Sequence, residues 1–236
     1  MPLAETLHAL HEEIAAACRQ AGRNPAEITL VAVTKTRSPQ LVREAWEAGV
    51  RHVGENRVQE LLAKKPLLAD LDLTWHLIGS LQTNKVKAVL PHVALLHALD
   101  RLELAQAIAK HSPAGPLPAL IQVNTTSEAS KSGCAPGGVD PLIDAVRAIP
   151  QVLLRGFMTI GPWGGSEAEN RRAFALLRTV RDRNATRHRD LDLSILSMGM
   201  SDDYREAILE GATHLRIGSR IFGARPMPPP PLDSGR

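Results

Sequence analysis

The chain has 236 residues, of which 44% are hydrophobic and 22% are charged, and its formal net charge is +3. This composition is typical of a globular protein and excludes a disordered or collagen-like chain. Aromatic residues make up only 3%, which leaves little material for stacking nucleic-acid bases, so we expect no nucleic-acid partner.

The N-terminus carries Glu5, Glu12 and Glu13 among its apolar residues, which is not the pattern of a signal or transit peptide. No stretch approaches the run of apolar residues that a membrane helix requires. The two cysteines form no CxxC motif, and reduced thiols are the simplest interpretation. We therefore expect a cytoplasmic protein without a membrane partner and, in the absence of an exposed apolar stripe, a monomer.

The pattern in chain order begins with apolar residues at helical spacing over residues 3–21, which predict an amphipathic helix ended by Gly22. Eight short apolar runs follow, and most are separated by helical patterns. The runs cover residues 28–35, 51–56, 74–80, 93–100, 118–125, 153–160, 192–200 and 214–223. The helical patterns cover residues 38–48, 57–64, 84–90, 101–111, 139–148, 167–183 and 203–210.

Continuous apolar strands that alternate with amphipathic helices indicate parallel strands covered on both faces. Eight such units predict a single (β/α)₈ TIM barrel, an α/β fold, preceded by the extra N-terminal helix. No G-x-G-x-x-G motif follows the first strand, so an open dinucleotide-binding sheet is disfavoured. We assign residues 1–225 to the barrel domain and interpret the proline-rich residues 226–236 as a flexible tail.

Lys35 closes the first strand, where the carboxyl ends of barrel strands form the active face. Apolar surroundings favour the neutral form of an amine, which is the nucleophile that a Schiff base requires. The alternative is a lysine that merely extends to solvent.

Small polar residues end the last two strands, and they predict a phosphate site. Gly218 and Ser219 precede a short helical pattern whose peptide N–H groups would bind an anion, and Ser197 would add a hydroxyl. Tight turns explain the same residues without any ligand. A lysine opposite a phosphate site is a stronger signal than either alone, and pyridoxal phosphate, an aldehyde that carries a phosphate, satisfies both.

Six longer motifs follow one another between about residue 28 and Arg225: LVAVTKT, VGENRVQE, WHLIGSLQTNK, SEASKSG, SMGMSDD and LRIGSRIFGAR. Together they resemble the pyridoxal phosphate homeostasis protein family, which is itself similar to the barrel domain of alanine racemase. The resemblance implies that Lys35 holds pyridoxal 5′-phosphate as a Schiff base and that Arg216 faces its pyridine nitrogen. It implies further cofactor contacts from Asn56, His76, Met158, Ser197, Gly218 and Ser219.

The same residues bear on whether the protein is an enzyme. An arginine can only donate a hydrogen bond, so a ring nitrogen facing Arg216 stays unprotonated and withdraws electrons weakly. A two-base racemase also needs an acid or base opposite the lysine, and Tyr204, the only tyrosine, falls in a helix after Ser201. The chain ends soon after the eighth strand, and we expect no second domain to supply that group.

We therefore favour a binding protein that stores or delivers pyridoxal phosphate, with apo forms of pyridoxal phosphate enzymes as possible acceptors. A racemase-like enzyme and a cofactor-free barrel aldolase remain as alternatives.

Three other features have simpler interpretations. Lys131 could accept a departing cofactor, although a solvated loop lysine is the plainer explanation. Asp202 and Asp203 follow Ser201, which we interpret as a helix N-cap, so these carboxylates are typical of a first helical turn. The arginine-rich residues 171–189 predict a solvated face, and the histidines lack metal-ligand spacing.

Overall fold

A computed structural model describes residues 2–112, 115–126, 128 and 132–224. Within these residues, eight parallel strands close into a barrel in the order β1 to β8, which confirms the predicted architecture. The strands are β1 Thr29–Val33, β2 His52–Glu55, β3 Thr74–Leu77, β4 Leu95–Leu99, β5 Leu117–Gln122, β6 Val152–Met158, β7 Ile195–Ser197 and β8 His214–Ile217. The predicted flexible tail lies outside the described residues.

The helices of the described residues surround this barrel. They are α1 Leu3–Gln20, α2 Pro39–Glu47, α3 Val58–Lys64, α4 Val86–Val89, α5 Leu102–His111, α6 Val139–Val146, α7 Glu167–Arg187, α8 Tyr204–Leu209 and α9 Ser219–Phe222. None of them is long and apolar enough to cross a membrane. Helix α1, Leu3–Gln20, confirms the predicted N-terminal helix. Helix α7 continues four residues beyond the predicted position 183.

Local sequence signals explain where several elements begin. The Ser38 hydroxyl accepts a hydrogen bond from the Leu41 N–H at 3.2 Å, and Pro39 occupies the first turn of α2, where its missing N–H costs nothing. Ser166 and Glu169 form a capping box at the start of α7. All five residues of β4 are buried, as expected for a parallel strand covered on both faces.

Two hydrophobic clusters divide the core. The larger cluster joins the outer faces of the strands to the helices, and α1 contributes Leu7, Leu10 and Ile14 to it. The smaller cluster contains strand residues only and fills part of the barrel interior, with Leu120 and Met158 among its members. The interior is therefore a packed core, which leaves the strand ends as the place for a ligand.

Candidate functional site

A cavity of about 300 Å³ lies at the carboxyl ends of the strands. Its lining combines an amine, two guanidinium groups, a carboxylate, an amide and two hydroxyls with apolar side chains. The lining residues are Val33, Lys35, Arg37, Asn56, Ile78, Ile160, Trp163, Met200, Ser201, Asp202, Arg216, Gly218, Ser219 and Gly223. Two grooves elsewhere are larger, at about 500 and 460 Å³, but neither contains Lys35 or Arg216. The chemistry of the lining, rather than its size, singles out this cavity.

Five of the eight predicted site residues meet in this cavity: Lys35, Asn56, Arg216, Gly218 and Ser219. The other three, His76, Met158 and Ser197, do not line it, and all three side chains are buried. Met158 belongs to the small core cluster inside the barrel, with Leu95, Ala98 and Leu120.

The backbone on both sides of Lys35 is held by side chains from α3. The Lys64 amine donates to the Thr34 carbonyl at 2.6 Å, and the Thr36 N–H donates to the Glu60 carboxylate at 2.7 Å. Thr36 has a φ of 64°, in the left-handed region that a β-branched residue rarely adopts. Such a conformation costs about 1–3 kcal/mol and persists only where the surroundings enforce it. The bonds to α3 therefore fix the turn that presents Lys35 to the cavity.

A buried ion pair anchors this arrangement to β2. Lys64 donates to the Glu55 carboxylate at 2.7 Å, and the Thr34 hydroxyl donates to the same oxygen at 2.7 Å. Burial raises the pKa of Glu55, although the hydrogen bonds from Lys64 and Thr34 act in the opposite direction. The other Glu55 oxygen has no hydrogen-bond partner among the described residues. We call Thr34, Glu55, Glu60 and Lys64 the lysine clamp.

Arg216 places a positive charge at the base of the cavity. Its guanidinium donates to the Ser197 hydroxyl at 2.6 Å and to the Thr159 carbonyl at 2.7 Å. Burial lowers the pKa of Arg216 to about 10, so the group stays protonated at neutral pH. A guanidinium has no acceptor atom, so in any hydrogen bond between Arg216 and a ligand the ligand is the acceptor.

Gly218 and Ser201 shape the side of the cavity where β8 ends. A Cβ at position 218 would lie 3.3 Å from both the Cβ and the carbonyl oxygen of Val33, so glycine allows this loop to approach β1 closely. The Ser201 hydroxyl is 3.5 Å from the N–H of Arg220, in the first turn of α9. Two hydroxyls, from Ser201 and Ser219, therefore lie near the loop that follows β8.

Ser201 was predicted to cap a helix, and the structure corrects that interpretation. Helix α8 begins at Tyr204 after Asp203, and no side-chain hydrogen bond caps it. The Asp203 carboxylate instead accepts a hydrogen bond from the Met200 N–H at 2.5 Å. Ser201 is free to line the cavity, whereas Ser197, four residues earlier at the end of β7, lies in the barrel core. The SMGMS motif contains both serines, and nothing in the sequence distinguishes them.

Tyr204 is not among the residues that line the cavity. Its hydroxyl donates to the Glu13 carboxylate of α1 at 2.5 Å, and Glu13 also accepts from Arg220 at 2.5 Å. Burial, followed by the bond to Glu13, raises the pKa of Tyr204 to about 12. This phenol therefore ties α1 to the barrel.

The mouth of the cavity carries two apolar residues that the sequence did not point to. Trp163 is 92% exposed and Ile160 is 39% exposed, and both line the cavity. They lie in the loop between β6 and α7. The one sequence feature that could have pointed to these residues is a tryptophan within a glycine-rich loop.

Most other polar features have structural partners. Arg171 and Arg178 of α7 both pair with Glu210, and Arg183 and Arg187 both pair with Asp140. Lys131 lies outside the described residues. Among those that are described, no group of three or more histidine, cysteine or acidic residues could hold a metal ion.

Comparison with known proteins gives consistent matches along the chain. The family model for the alanine racemase N-terminal domain matches residues 6–226. The pyridoxal phosphate homeostasis protein of Pseudomonas aeruginosa is 46% identical over 226 residues, which cover 94% of this chain and 96% of the relative. The structure of PipY from Synechococcus elongatus with PLP bound is 35% identical, with a TM-score of 0.80, and the match covers 94% of this chain and all of PipY. The crystal structure of a protein described as unknown, from Bifidobacterium adolescentis, is 36% identical, with a TM-score of 0.89 and 94% of each chain covered.

Proposed function

The chain belongs to the pyridoxal phosphate homeostasis protein family, and on this premise we propose that it binds pyridoxal 5′-phosphate in the strand-end cavity and helps to balance the intracellular supply of this cofactor. The observation that carries the proposal is the meeting of the Lys35 amine, the Arg216 guanidinium and the hydroxyls of Ser201 and Ser219 around one cavity. PipY, a relative of similar length, is described with PLP bound.

The residues present fit this cofactor. The cavity volume of about 300 Å³ is at the lower end of the range of about 300–1,000 Å³ that is usual for cofactor sites. Bound pyridoxal phosphate supplies an electrophilic aldehyde and an electron-withdrawing ring. The neutral Lys35 amine would condense with the aldehyde, so that C=N replaces C=O and the aldehyde oxygen leaves as water, and Ser201 and Ser219 would donate hydrogen bonds to the phosphate oxygens.

Two features favour a carrier over a racemase-like enzyme. Arg216 donates to Ser197 and Thr159 and stays protonated, so it would hold a pyridine nitrogen as a hydrogen-bond donor and would favour the unprotonated ring. Such a ring stabilises a carbanion poorly. Tyr204 is bonded to Glu13 rather than directed at the cavity, so it does not serve as a second base. We propose a cytoplasmic monomer that passes the cofactor to apo-enzymes.

Covalent binding is tested by adding pyridoxal phosphate to the purified protein, reducing with borohydride and mapping the added mass. We expect a visible absorption band and a modification at Lys35. Lys35→Ala should lose both, whereas Lys87→Ala, at an exposed position of α4, should keep them. A reduced adduct that persists in Lys35→Ala would refute the assignment of this lysine.

Noncovalent anchoring is tested by Ser219→Ala. Loss of one hydrogen bond to a charged group corresponds to about tenfold weaker binding. We expect this change in the dissociation constant for pyridoxal phosphate, with unfolding by urea as in the wild type. Ser194→Ala, at an exposed position before β7, is the control. Wild-type affinity in Ser219→Ala would place the phosphate elsewhere.

The choice between carrier and enzyme is tested by two assays. Transfer of pyridoxal phosphate from the loaded protein to an apo-enzyme should restore the activity of that enzyme. Exchange of the α-hydrogen of amino acids with deuterated solvent should be negligible. Turnover above about 1 per second that depends on Lys35 would instead establish an enzyme.

A further inference from the structure

Five side chains form one continuous hydrogen-bonded chain across the barrel interior. His52 Nδ1 is 3.0 Å from His76 Nε2, and His76 Nδ1 is 2.9 Å from His97 Nε2. His97 Nδ1 is 2.9 Å from the Ser197 hydroxyl, which also accepts from Arg216 at 2.6 Å. These residues belong to β2, β3, β4, β7 and β8, so the contacts exist only in the closed barrel. We call this set the histidine chain.

The histidine chain joins two ends of the molecule. Arg216 lines the strand-end cavity, whereas half-buried His52, the first residue of β2, lines the groove of about 460 Å³ at the amino-terminal end of the barrel. The links between them are buried: His76 is 2% exposed, and His97 and Ser197 are fully buried. Solvent therefore has access to the histidine chain only near its two ends, His52 and Arg216.

Hydrogen-bond chemistry gives the chain one direction. Arg216 can only donate, so the Ser197 oxygen accepts from it, and the Ser197 hydrogen needs another acceptor. Among the described residues, that oxygen has hydrogen-bond contacts with Arg216 and His97 only. Ser197 therefore donates to His97 Nδ1, which must be unprotonated, and the neutral His97 carries its hydrogen on Nε2.

The same rule applies along the rest of the chain. His97 Nε2–H donates to His76 Nδ1, and His76 Nε2–H donates to His52 Nδ1, which leaves the His52 hydrogen on Nε2. A proton cannot pass through to the cavity, because Arg216 at the upper end has no acceptor atom.

The surroundings keep the imidazoles neutral. Burial lowers the pKa of His76 to about 3 and that of His97 well below its usual value. The titratable groups that act on His76 are His214 and His52, and those that act on His97 are His76, Arg216 and His214. Arg216 is charged and disfavours a positive charge on His97, whereas the imidazoles would repel one another only if two were protonated together. His214 is itself neutral, because burial lowers its pKa to about 4. Arg216 is then the only cation among the five side chains of the histidine chain.

We propose that His52, His76 and His97 are positioning residues, all with the hydrogen on Nε2, whose chain orients the Ser197 hydroxyl and thereby holds the Arg216 guanidinium at the base of the cavity. The expected effect of the histidine chain on pyridoxal phosphate binding rests on the proposed function. The positions of the histidine hydrogens do not depend on that function.

The direction is tested by nitrogen NMR of the protein labelled with ¹⁵N-histidine, without added cofactor. We expect His52, His76 and His97 to carry the hydrogen on Nε2, and His76 and His97 to show no titration between about pH 5 and 8, where ordinary histidines change charge. A hydrogen on Nδ1 of His97, or titration of either side chain in that range, would overturn the proposal.

The positioning role is tested by two substitutions at one site. The side-chain oxygen of His97→Asn replaces Nδ1 as the acceptor for Ser197, whereas His97→Leu removes that acceptor. We expect His97→Leu to weaken pyridoxal phosphate binding about tenfold and to shift the absorption maximum of the bound cofactor. His97→Asn should restore both towards the wild type. Equal effects of the two substitutions would reduce the role of His97 to packing.

The outcomes separate this inference from the proposed function. If the wild type binds no pyridoxal phosphate, the proposed function fails while the NMR result still decides the direction of the chain. If His97→Leu does not fold, Ser197→Ala replaces it, because it removes the acceptor that holds Arg216. We expect the same weakening of binding, about tenfold, and the same shift of the absorption maximum. Wild-type binding and absorption in Ser197→Ala would contradict the positioning role.

Discussion

The lysine clamp and the histidine chain both immobilise a basic residue that lines the cavity, but they do so by different chemistry. The clamp is ionic, and it binds the peptide groups of Thr34 and Thr36 on either side of Lys35. In the histidine chain, three neutral imidazoles and the Ser197 hydroxyl hold the Arg216 guanidinium, which is the last member of the chain. A buried ion pair is sensitive to removal of one partner, whereas buried neutral histidines are sensitive to acid. The two regions can therefore be perturbed separately.

The largest effect should come from breaking the ion pair of the clamp. Lys64→Met leaves the Glu55 carboxylate buried without its partner, which costs about 3–5 kcal/mol of unfolding free energy. Unfolding by urea at neutral pH measures this loss, and Lys87→Met on exposed α4 should change stability by less than about 0.5 kcal/mol.

Acidification gives an internal check on the same variant. Glu55 takes up a proton more readily in the folded state than in the unfolded state once Lys64 is gone, so the deficit in unfolding free energy of Lys64→Met relative to the wild type should shrink as the pH falls. Stability of Lys64→Met equal to that of the wild type at neutral pH would mean that Glu55 is already neutral in the folded protein.

The histidine chain should respond to acid in the opposite direction. The pKa of His76 is lowered to about 3, so below the usual histidine value the unfolded chain binds a proton that the folded protein does not. Stability is therefore lost as the pH falls from about 6.5 towards 3. At pH 5 the contribution of one such histidine is about 2 kcal/mol.

His76→Gln isolates that contribution. Unfolding by urea at pH 7 and at pH 5 should show a loss about 2 kcal/mol smaller in His76→Gln than in the wild type. The control is His8→Gln, on the exposed side of α1, which should retain the wild-type loss. An unchanged loss in His76→Gln would show that this imidazole is protonated in the folded state.

The smallest effect should come from the outer part of the clamp. Glu60→Ala removes the acceptor of the Thr36 N–H and should cost about 1–2 kcal/mol in unfolding free energy. It should also slow covalent capture of pyridoxal phosphate by Lys35, because the left-handed turn at Thr36 loses its support. Glu60→Gln keeps an acceptor oxygen and should restore most of the capture rate. If Glu60→Ala reacts at the wild-type rate, the turn does not depend on this bond.

Predictions from local patterns succeeded where one short segment carries the information. The apolar run that predicts β1 is local, although β1 ends at Val33 and Lys35 lies in the turn that follows rather than on the strand end that was predicted. The Ser38-Pro39 pair at the start of α2 is a local capping signal. Ser197 and Ser201 show the limit of such reasoning. The whole of residues 192–200 is compatible with a strand, yet β7 covers only Ile195–Ser197, and that end point decides which serine lines the cavity.

His76 illustrates the same limit from inside the barrel. Alternation along β3 correctly places its side chain inward, but an inward position can belong either to the ligand cavity or to the core beneath it. The partners that settle this, His52 and His97, come from neighbouring strands 24 and 21 residues away in the chain.

The order of strands and helices, the closed barrel and a lysine shortly after β1 follow from the amino-acid pattern, because burial on a strand or helix repeats over a few consecutive residues. The strained turn at Thr36 requires α3 to pack against β1 and β2. The single direction of the histidine chain, and the placement of Ser201 rather than Ser197 in the cavity, require the closed barrel. They depend on distances of a few ångströms between side chains that are far apart in the sequence, and no local periodicity records those distances.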